Sequence, residues 1–280
     1  MAPQTKKIGI VAPASRLDQA LAARMAALAA SRGSALELRF HPQCFLSSGH
    51  FAGDDAARAS AFLDYANDPD LDAVWFGRGG YGSGRIVARV LSQLGEHARH
   101  KAYLGYSDAG TLMAALYSKD FRKIAHGPMP SDINRDGGEA AVNRALDFLL
   151  DGASSALEPA VTKGVRTAAF NITILSHLIG TPFQPDLTGH VLMLEEVAEA
   201  MYRIDRDLFH ITSNPEIRRV AGIMLGRCSA IPENDPDFVL NEEEVVKYWC
   251  HVAHIPYLGR ADIGHDIHNK VVPFGRFHSL

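Results

Sequence analysis

Cysteine is scarce in this chain. Cys44, Cys228 and Cys250 are an odd, widely spaced set with no CxxC pair, which excludes a disulfide framework and a cysteine-built zinc site. A reduced, cytoplasmic enzyme is the expectation. Long apolar runs are also missing, and none reaches the about 18 residues that a membrane-spanning helix needs. Near the start, Lys6-Lys7 precede Ile8-Gly9-Ile10-Val11-Ala12, an apolar stretch too short for a signal peptide and interrupted by Pro13. A first β-strand is expected there. Nor does charge of one sign dominate: 28 basic residues face 32 acidic ones, with no like-charge block, so neither nucleic acid nor an anionic membrane is the expected partner. Internal repeats and low-complexity tracts are absent. What remains is ordinary globular composition, 47% hydrophobic and 21% charged, which excludes disorder as the main state. A chain of 280 residues suffices for one or two domains at about 150 residues each.

The first half alternates short β-like runs with helical stretches: strands at 7–12, 35–40, 72–76 and 101–106, helices at 17–32, 54–67, 84–94, 109–118 and 139–150. This alternation predicts βαβ units and a parallel sheet. Residues 151–167 carry turn formers without a sustained period and read as a linker. Beyond it the pattern predicts a second, smaller α/β unit, with helices near 171–179, 201–212 and 241–251. Its strands fall at 190–195 and 219–226, with short β runs at 256–260 and 270–273. The expected fold is therefore α/β with two domains, 1–150 and 168–280.

Two turns in the first half carry chemistry. Gly77-Arg78-Gly79-Gly80-Tyr81-Gly82 satisfies GxGxxG between a strand and a helix, the context of a dinucleotide fingerprint. It follows the third strand rather than the first, and no acidic residue ends the next strand. A plain glycine turn, or a loop whose backbone amides face an oxyanion, are the other readings. In Gly105-Tyr106-Ser107-Asp108 a serine sits where a strand gives way to a helix. Such a turn raises a hydroxyl at the carboxyl edge of the sheet, with the next amide at a positive helix end; ordinary N-capping explains Ser-Asp equally well. A serine nucleophile needs a base and an acceptor to orient it. Of thirteen histidines, His265 in a short loop after a β run suits a cleft, whereas His126 reads as a satisfied loop histidine. Glu195 and Glu196 end the apolar run 190–194. Adjacent strand residues face opposite sides, so only one of them can reach His265.

Residues 262–268 also hold Asp262, His265, Asp266 and His268, a set of zinc-ligand types. On an extended segment His265 and His268 point apart, so no metal is expected and His268 reads as a surface residue.

Taken together, five segments resemble the LD-carboxypeptidases (muramoyltetrapeptide carboxypeptidases), serine peptidases of bacterial cell-wall recycling. They are Arg78-Gly79-Gly80-Tyr81-Gly82-Ser83-Gly84-Arg85; Gly105-Tyr106-Ser107-Asp108; His126-Gly127-Pro128-Met129; Leu194-Glu195-Glu196-Val197 with Tyr202-Arg203-Ile204-Asp205-Arg206; and Gly264-His265 with Asn269, Pro273 and Gly275. The resemblance implies Ser107 as nucleophile, His265 as general base and Glu195 as its orienting acceptor, with the backbone amides of Gly80 and Asp108 as the oxyanion hole. It implies a site at the interface of the two domains, no cofactor, a homodimer, and a peptidoglycan tetrapeptide losing its terminal D-Ala. Arg78 or Arg203 would hold the substrate carboxylate. Phe170-Asn171-Ile172-Thr173 departs from the Gly-Gly-Asn-Leu usual in the family. Cleavage of a peptide–nucleotide antibiotic ranks second. A nucleotide-binding domain on Gly77–Gly82 and a non-catalytic two-lobed binder are the rival classes.

Overall fold

The computed structural model describes residues 5–277 apart from Lys163, and Ser34 without its side chain. The first four residues of the segment weighed as a signal peptide, and Lys163 of the expected linker, thus lie outside the described residues. In chain order the elements are β1 (Lys6–Val11), α1 (Gln19–Ser31), β2 (Leu36–Phe40), α2 (Asp55–Asn67), β3 (Ala73–Phe76), α3 (Ser83–Leu91), α4 (Glu96–His100), β4 (Ala102–Gly105), α5 (Gly110–Tyr117), β5 (Ile124–His126) and α6 (Gly138–Asp151). There follow β6 (Arg166–Asn171), α7 (Ile172–Leu178), β7 (His190–Val197), α8 (Met201–Ser213), β8 (Gly222–Ser229), α9 (Glu242–Ala253), β9 (Tyr257–Arg260), β10 (Val272–Pro273) and β11 (Gly275–Arg276).

Two sheets form, in the strand orders β10-β5-β4-β3-β1-β2 and β11-β6-β7-β8-β9. Strands β1 to β5 pair in parallel, as do β6 to β9. The central strands β3 and β4 are wholly buried, largely apolar runs, and β7 is buried and apolar from Leu192 to Leu194 before its two glutamates, as parallel strands covered on both faces tend to be. Side-chain caps set several helix starts: Asp18 accepts from Leu21 N, Asp54 from Ala57 N and Asn241 from Glu244 N. Each cap satisfies an amide that the helix leaves unpaired. The α/β expectation and its two units stand.

Three strands escaped the sequence pattern: β5, β6 and the two-residue β11. β5 has only three residues. β6 begins at Arg166, inside the stretch read as linker, and continues to Asn171, read as helix; the rest of that stretch holds a 3-10 turn at Ser154–Ala156. The C-terminal segment also crosses between the units: β10 lies antiparallel on β5 of the first sheet, and β11 antiparallel on β6 of the second. One apolar core joins the sheets, running from Val74 and Phe76 through Leu112 and Leu116 of α5 and Leu175 of α7 to Leu194 and Ile223. Glycine at position 110 permits this packing, because a Cβ there would already sit 3.3 Å from Ile174. The loop that opens α5 is therefore held against the second unit. No helix among the described residues is long and apolar enough to cross a membrane.

Candidate active site

Ser107 opens the 3-10 turn Ser107–Ala109, which follows β4 and leads into α5. Its φ is +59°, a left-handed conformation that a residue with a side chain adopts only under constraint. The turn thereby lifts the hydroxyl off the sheet edge. The glycine loop closes against it: a Cβ on Gly79 would lie 2.8 Å from Ser107 Oγ. Gly80 and Gly82 have φ of +113° and +143°, and a Cβ on Gly80 would run into Ser15 Oγ. Here glycine is a steric requirement of the serine's position. Gly79→Ala is expected to lower turnover by on the order of 100-fold, the cost of displacing a reacting group by about 1 Å. Steady-state assay beside a melting curve checks it, and an active, correctly folded variant would refute it.

Two buried side chains hold these loops. Arg58 is fully buried and donates through Nη1 to the carbonyls of Gly82, at 2.8 Å, and Pro13, and through Nη2 to Asp55. The buried carboxylate of Asp108 accepts the Ser83 amide at 2.9 Å. It thus serves the first turn of α3, whose own N-cap is the side-chain-less Gly82. Burial pushes its carboxyl pKa up, against the hydrogen bonds that lower it. A nucleotide phosphate at this helix end, where such anions bind, would have to displace that carboxylate. This contact speaks against the dinucleotide reading of Gly77–Gly82.

The second unit contributes a histidine–glutamate pair. His265 Nδ1 lies 2.6 Å from Oε2 of Glu195, the glutamate fully buried and the histidine nearly so. With an ionised acceptor on Nδ1, that nitrogen carries the proton and Nε2 is left to act. Burial disfavours the imidazolium, but the Glu195 charge and hydrogen bond outweigh it, so the His265 pKa is raised. Glu196 turns the other way. It accepts from Asn171 Nδ2 at 2.5 Å, the Thr173 amide at 2.9 Å and hydroxyl at 2.8 Å, and the Val197 amide at 2.8 Å. The departure at Phe170–Thr173 thus supplies partners for a buried carboxylate, and Asn171 also caps α7 through the Ile174 amide.

Ser107 and His265 line one cleft of about 460 Å³, together with Arg78, Gly79, Gly80, Tyr106 and Arg135. A cavity of about 530 Å³ elsewhere includes Ser118 and His190, but that serine donates to the Ala115 carbonyl. Both nitrogens of that histidine are engaged, by Tyr117 and Thr188, so neither is free for chemistry.

Other expected positions differ. Arg203 lies exposed on α8, paired with Glu199 at 3.4 Å and touching Tyr202, and does not line the cleft. Arg135, unmarked by any motif, does. His126 belongs to β5 rather than to a loop; it bonds Asn269 Oδ1 at 3.2 Å, and burial drives its pKa down to about 4. Asp262 and Asp266 both pair with Arg227. Among the described residues no group of His, Cys, Asp or Glu is arranged to hold a metal ion.

The family model described as the LD-carboxypeptidase N-terminal domain matches residues 8–127, and that of the LD-carboxypeptidase C-terminal domain matches residues 166–280. A protein of Synechocystis sp. named among the carboxypeptidases is 31% identical over 237 residues, 81% of this chain and 75% of its own. The chain belongs to the LD-carboxypeptidase family. A Bacillus subtilis protein assigned by name to murein peptide carboxypeptidases is 28% identical, covering 96% of this chain and 86% of its own. The murein tetrapeptide carboxypeptidase of Pseudomonas aeruginosa is 26% identical over 81% and 78%. Among solved structures, muramoyltetrapeptide carboxypeptidase from Oxalobacter formigenes shares the fold of this LD-carboxypeptidase with a TM-score of 0.81 at 24% identity, over 96% of this chain and 93% of that one. The microcin C7 self-immunity protein MccF shares it at 0.77 and 17% identity, over 98% and 93%. The protein is therefore a peptidase of the LD-carboxypeptidase type.

Proposed function

We propose that this LD-carboxypeptidase releases the terminal D-Ala of peptidoglycan tetrapeptides through a serine acyl-enzyme, with Ser107 as nucleophile, His265 as base and Glu195 as its orienting acceptor. The observation that carries the reading is the 2.6 Å His265–Glu195 bond beside a cleft that His265 shares with Ser107. His265 Nε2 takes the Ser107 proton as Oγ bonds to the carbonyl carbon. Glu195 then stabilises the imidazolium, and the Gly80 and Asp108 amides receive the oxyanion, a contribution of about 3 kcal/mol for one such donor. The imidazolium returns its proton to the departing D-Ala amine, and water, activated by the same base, hydrolyses the ester. The relatives named for murein peptides support this substrate class.

Incubation with muramoyl tetrapeptide, followed by mass spectrometry, tests the reading. Loss of one alanine supports it; an unchanged tetrapeptide overturns it. Because His265 must be neutral to accept a proton, and its pKa is raised, activity should fall as pH drops, with the acid limb of kcat/KM above the ordinary histidine value of about 6.5. A limb centred below that value would contradict the ion pair.

The proposal includes the units 1–150 and 168–280 as two domains joined by the stretch 151–167, in which β6 of the second unit already begins at Arg166. It also includes a cytoplasmic location and a homodimer. Light scattering should give about twice the monomer mass of 30.4 kDa; the monomer mass would rule the dimer out.

A further inference from the structure

An enzyme that removes a single C-terminal residue must recognise the free carboxylate next to the bond it cuts. The cleft offers two guanidinium groups for this, Arg78 and Arg135, and their settings differ. Arg78 belongs to the glycine loop, on the Gly79–Gly80 side of Ser107, and its Nη1 donates to the Arg16 carbonyl at 3.3 Å. Arg135 follows the 3-10 turn Pro130–Asn134, and its Nε donates to Asp132 Oδ1 at 2.9 Å. Asp132 is only 2% exposed. Its carboxylate also accepts the Tyr106 hydroxyl at 2.8 Å and the Met129 amide at 2.8 Å. The Tyr106 ring in turn packs on His265, with centroids 4.7 Å apart. Arg135 is therefore tied, through one buried carboxylate, to the ring against which the base rests.

That connection places Arg135 on the leaving-group side. In the mechanism above the departing amine takes its proton from His265, so the amine nitrogen lies at the imidazole. The carboxylate carbon of a single departing residue is two bonds away, about 2.5 Å from that nitrogen. A cation beside Tyr106 and His265 is suited to this carboxylate, whereas Arg78 is turned to the Arg16 carbonyl. With Nε committed to Asp132, the Arg135 guanidinium still carries four N–H donors on its Nη atoms, and its side chain remains 41% exposed. A fork held at its stem can clamp a carboxylate through two parallel bonds with little further ordering. We infer that Arg135 binds the terminal carboxylate of the substrate and thereby restricts the enzyme to the last residue, an inference that rests on the D-Ala release proposed above.

The test compares a tetrapeptide ending in free D-Ala with the same peptide ending in D-Ala amide. The unaltered enzyme should favour the acid in kcat/KM by at least about 30-fold, the span of a charge-assisted hydrogen bond. Arg135→Gln should lose most of that factor on the acid and far less on the amide, so that the ratio collapses toward one. Arg78→Gln should keep the ratio. An Arg135→Gln enzyme that retains the acid preference, or a collapse caused by Arg78→Gln instead, overturns the inference. Should Arg135→Gln fail to fold, Arg135→Lys decides: the charge without the fork is expected to give an intermediate ratio, and an unchanged ratio counts against the clamp. An unaltered enzyme that releases D-Ala but shows no acid preference defeats the inference alone. One that releases no D-Ala defeats the proposed function, and the inference with it.

Discussion

Replacing Ser107 by alanine is expected to remove D-Ala release almost completely, a loss on the order of 10⁶ in kcat, as for other enzymes whose nucleophile and base act as a unit. The expectation rests on position. Ser107 is held at φ +59° between a glycine loop that leaves no room for a Cβ at Gly79 and a cleft that it shares with His265. The alanine side chain meets the same backbone constraint, and the lost hydroxyl sits at a partly exposed turn. Stability should therefore change by under about 0.5 kcal/mol, or about 2 °C in Tm. Thermal unfolding beside the mass assay separates the two effects. Activity within about 10-fold of the parent would remove Ser107 as the nucleophile.

The pair Glu195 and Glu196 gives the second large effect, and the two substitutions should differ in kind. Glu195→Gln replaces the acceptor on His265 Nδ1 with a group that can present N–H to it, disturbing the tautomer. A loss of about 10⁴ in kcat is expected, the scale seen when a triad carboxylate becomes an amide. The shift in pH dependence has a definite sign. With the Glu195 charge and hydrogen bond gone, burial is opposed only by the charges of Asp132 and Glu196, so the imidazole pKa falls and the remaining activity should persist to lower pH. Glu196→Gln removes no contact to the base. Its carboxylate accepts four donors, and an amide cannot accept at both ends. One unsatisfied buried contact costs about 1–3 kcal/mol, enough to lower Tm by several degrees while kcat of the folded enzyme stays within a few-fold. If instead Glu196→Gln abolished turnover and Glu195→Gln did not, the assignment of the acceptor would be reversed.

Much of this was legible because local rules carried it. The strand–serine–helix run at 101–118 announces its own turn, and the alternation of short apolar runs with amphipathic helices announces parallel sheets. Asp18, Asp54 and Asn241 mark their helix starts by cap chemistry. The strands that escaped, β5, β6 and β11, are short or flanked by turn formers, and they exist because neighbouring strands complete their hydrogen bonding. Their consequence is functional, since β5 buries His126 and β6 leads into Asn171, which Glu196 holds.

By itself, then, the sequence determined the α/β class, the two units, the tight turns at Gly79–Gly80 and Ser107, and the membership of the LD-carboxypeptidase family. Each depends on residue type and spacing along a few consecutive positions. The resemblance implied Glu195 as the partner of His265, and the tertiary structure supplied the physical reason: β7 aims Glu195 and Glu196 to opposite sides, and the loop carrying His265 approaches Glu195. Only the tertiary structure decided which arginine faces the cleft. Arg203 matched a motif but lies on the outer surface of α8, while Arg135 matched none and is aimed by Asp132, itself held by the hydroxyl of Tyr106 just past the end of β4. Such placements depend on contacts between residues distant in sequence, and no local pattern encodes them.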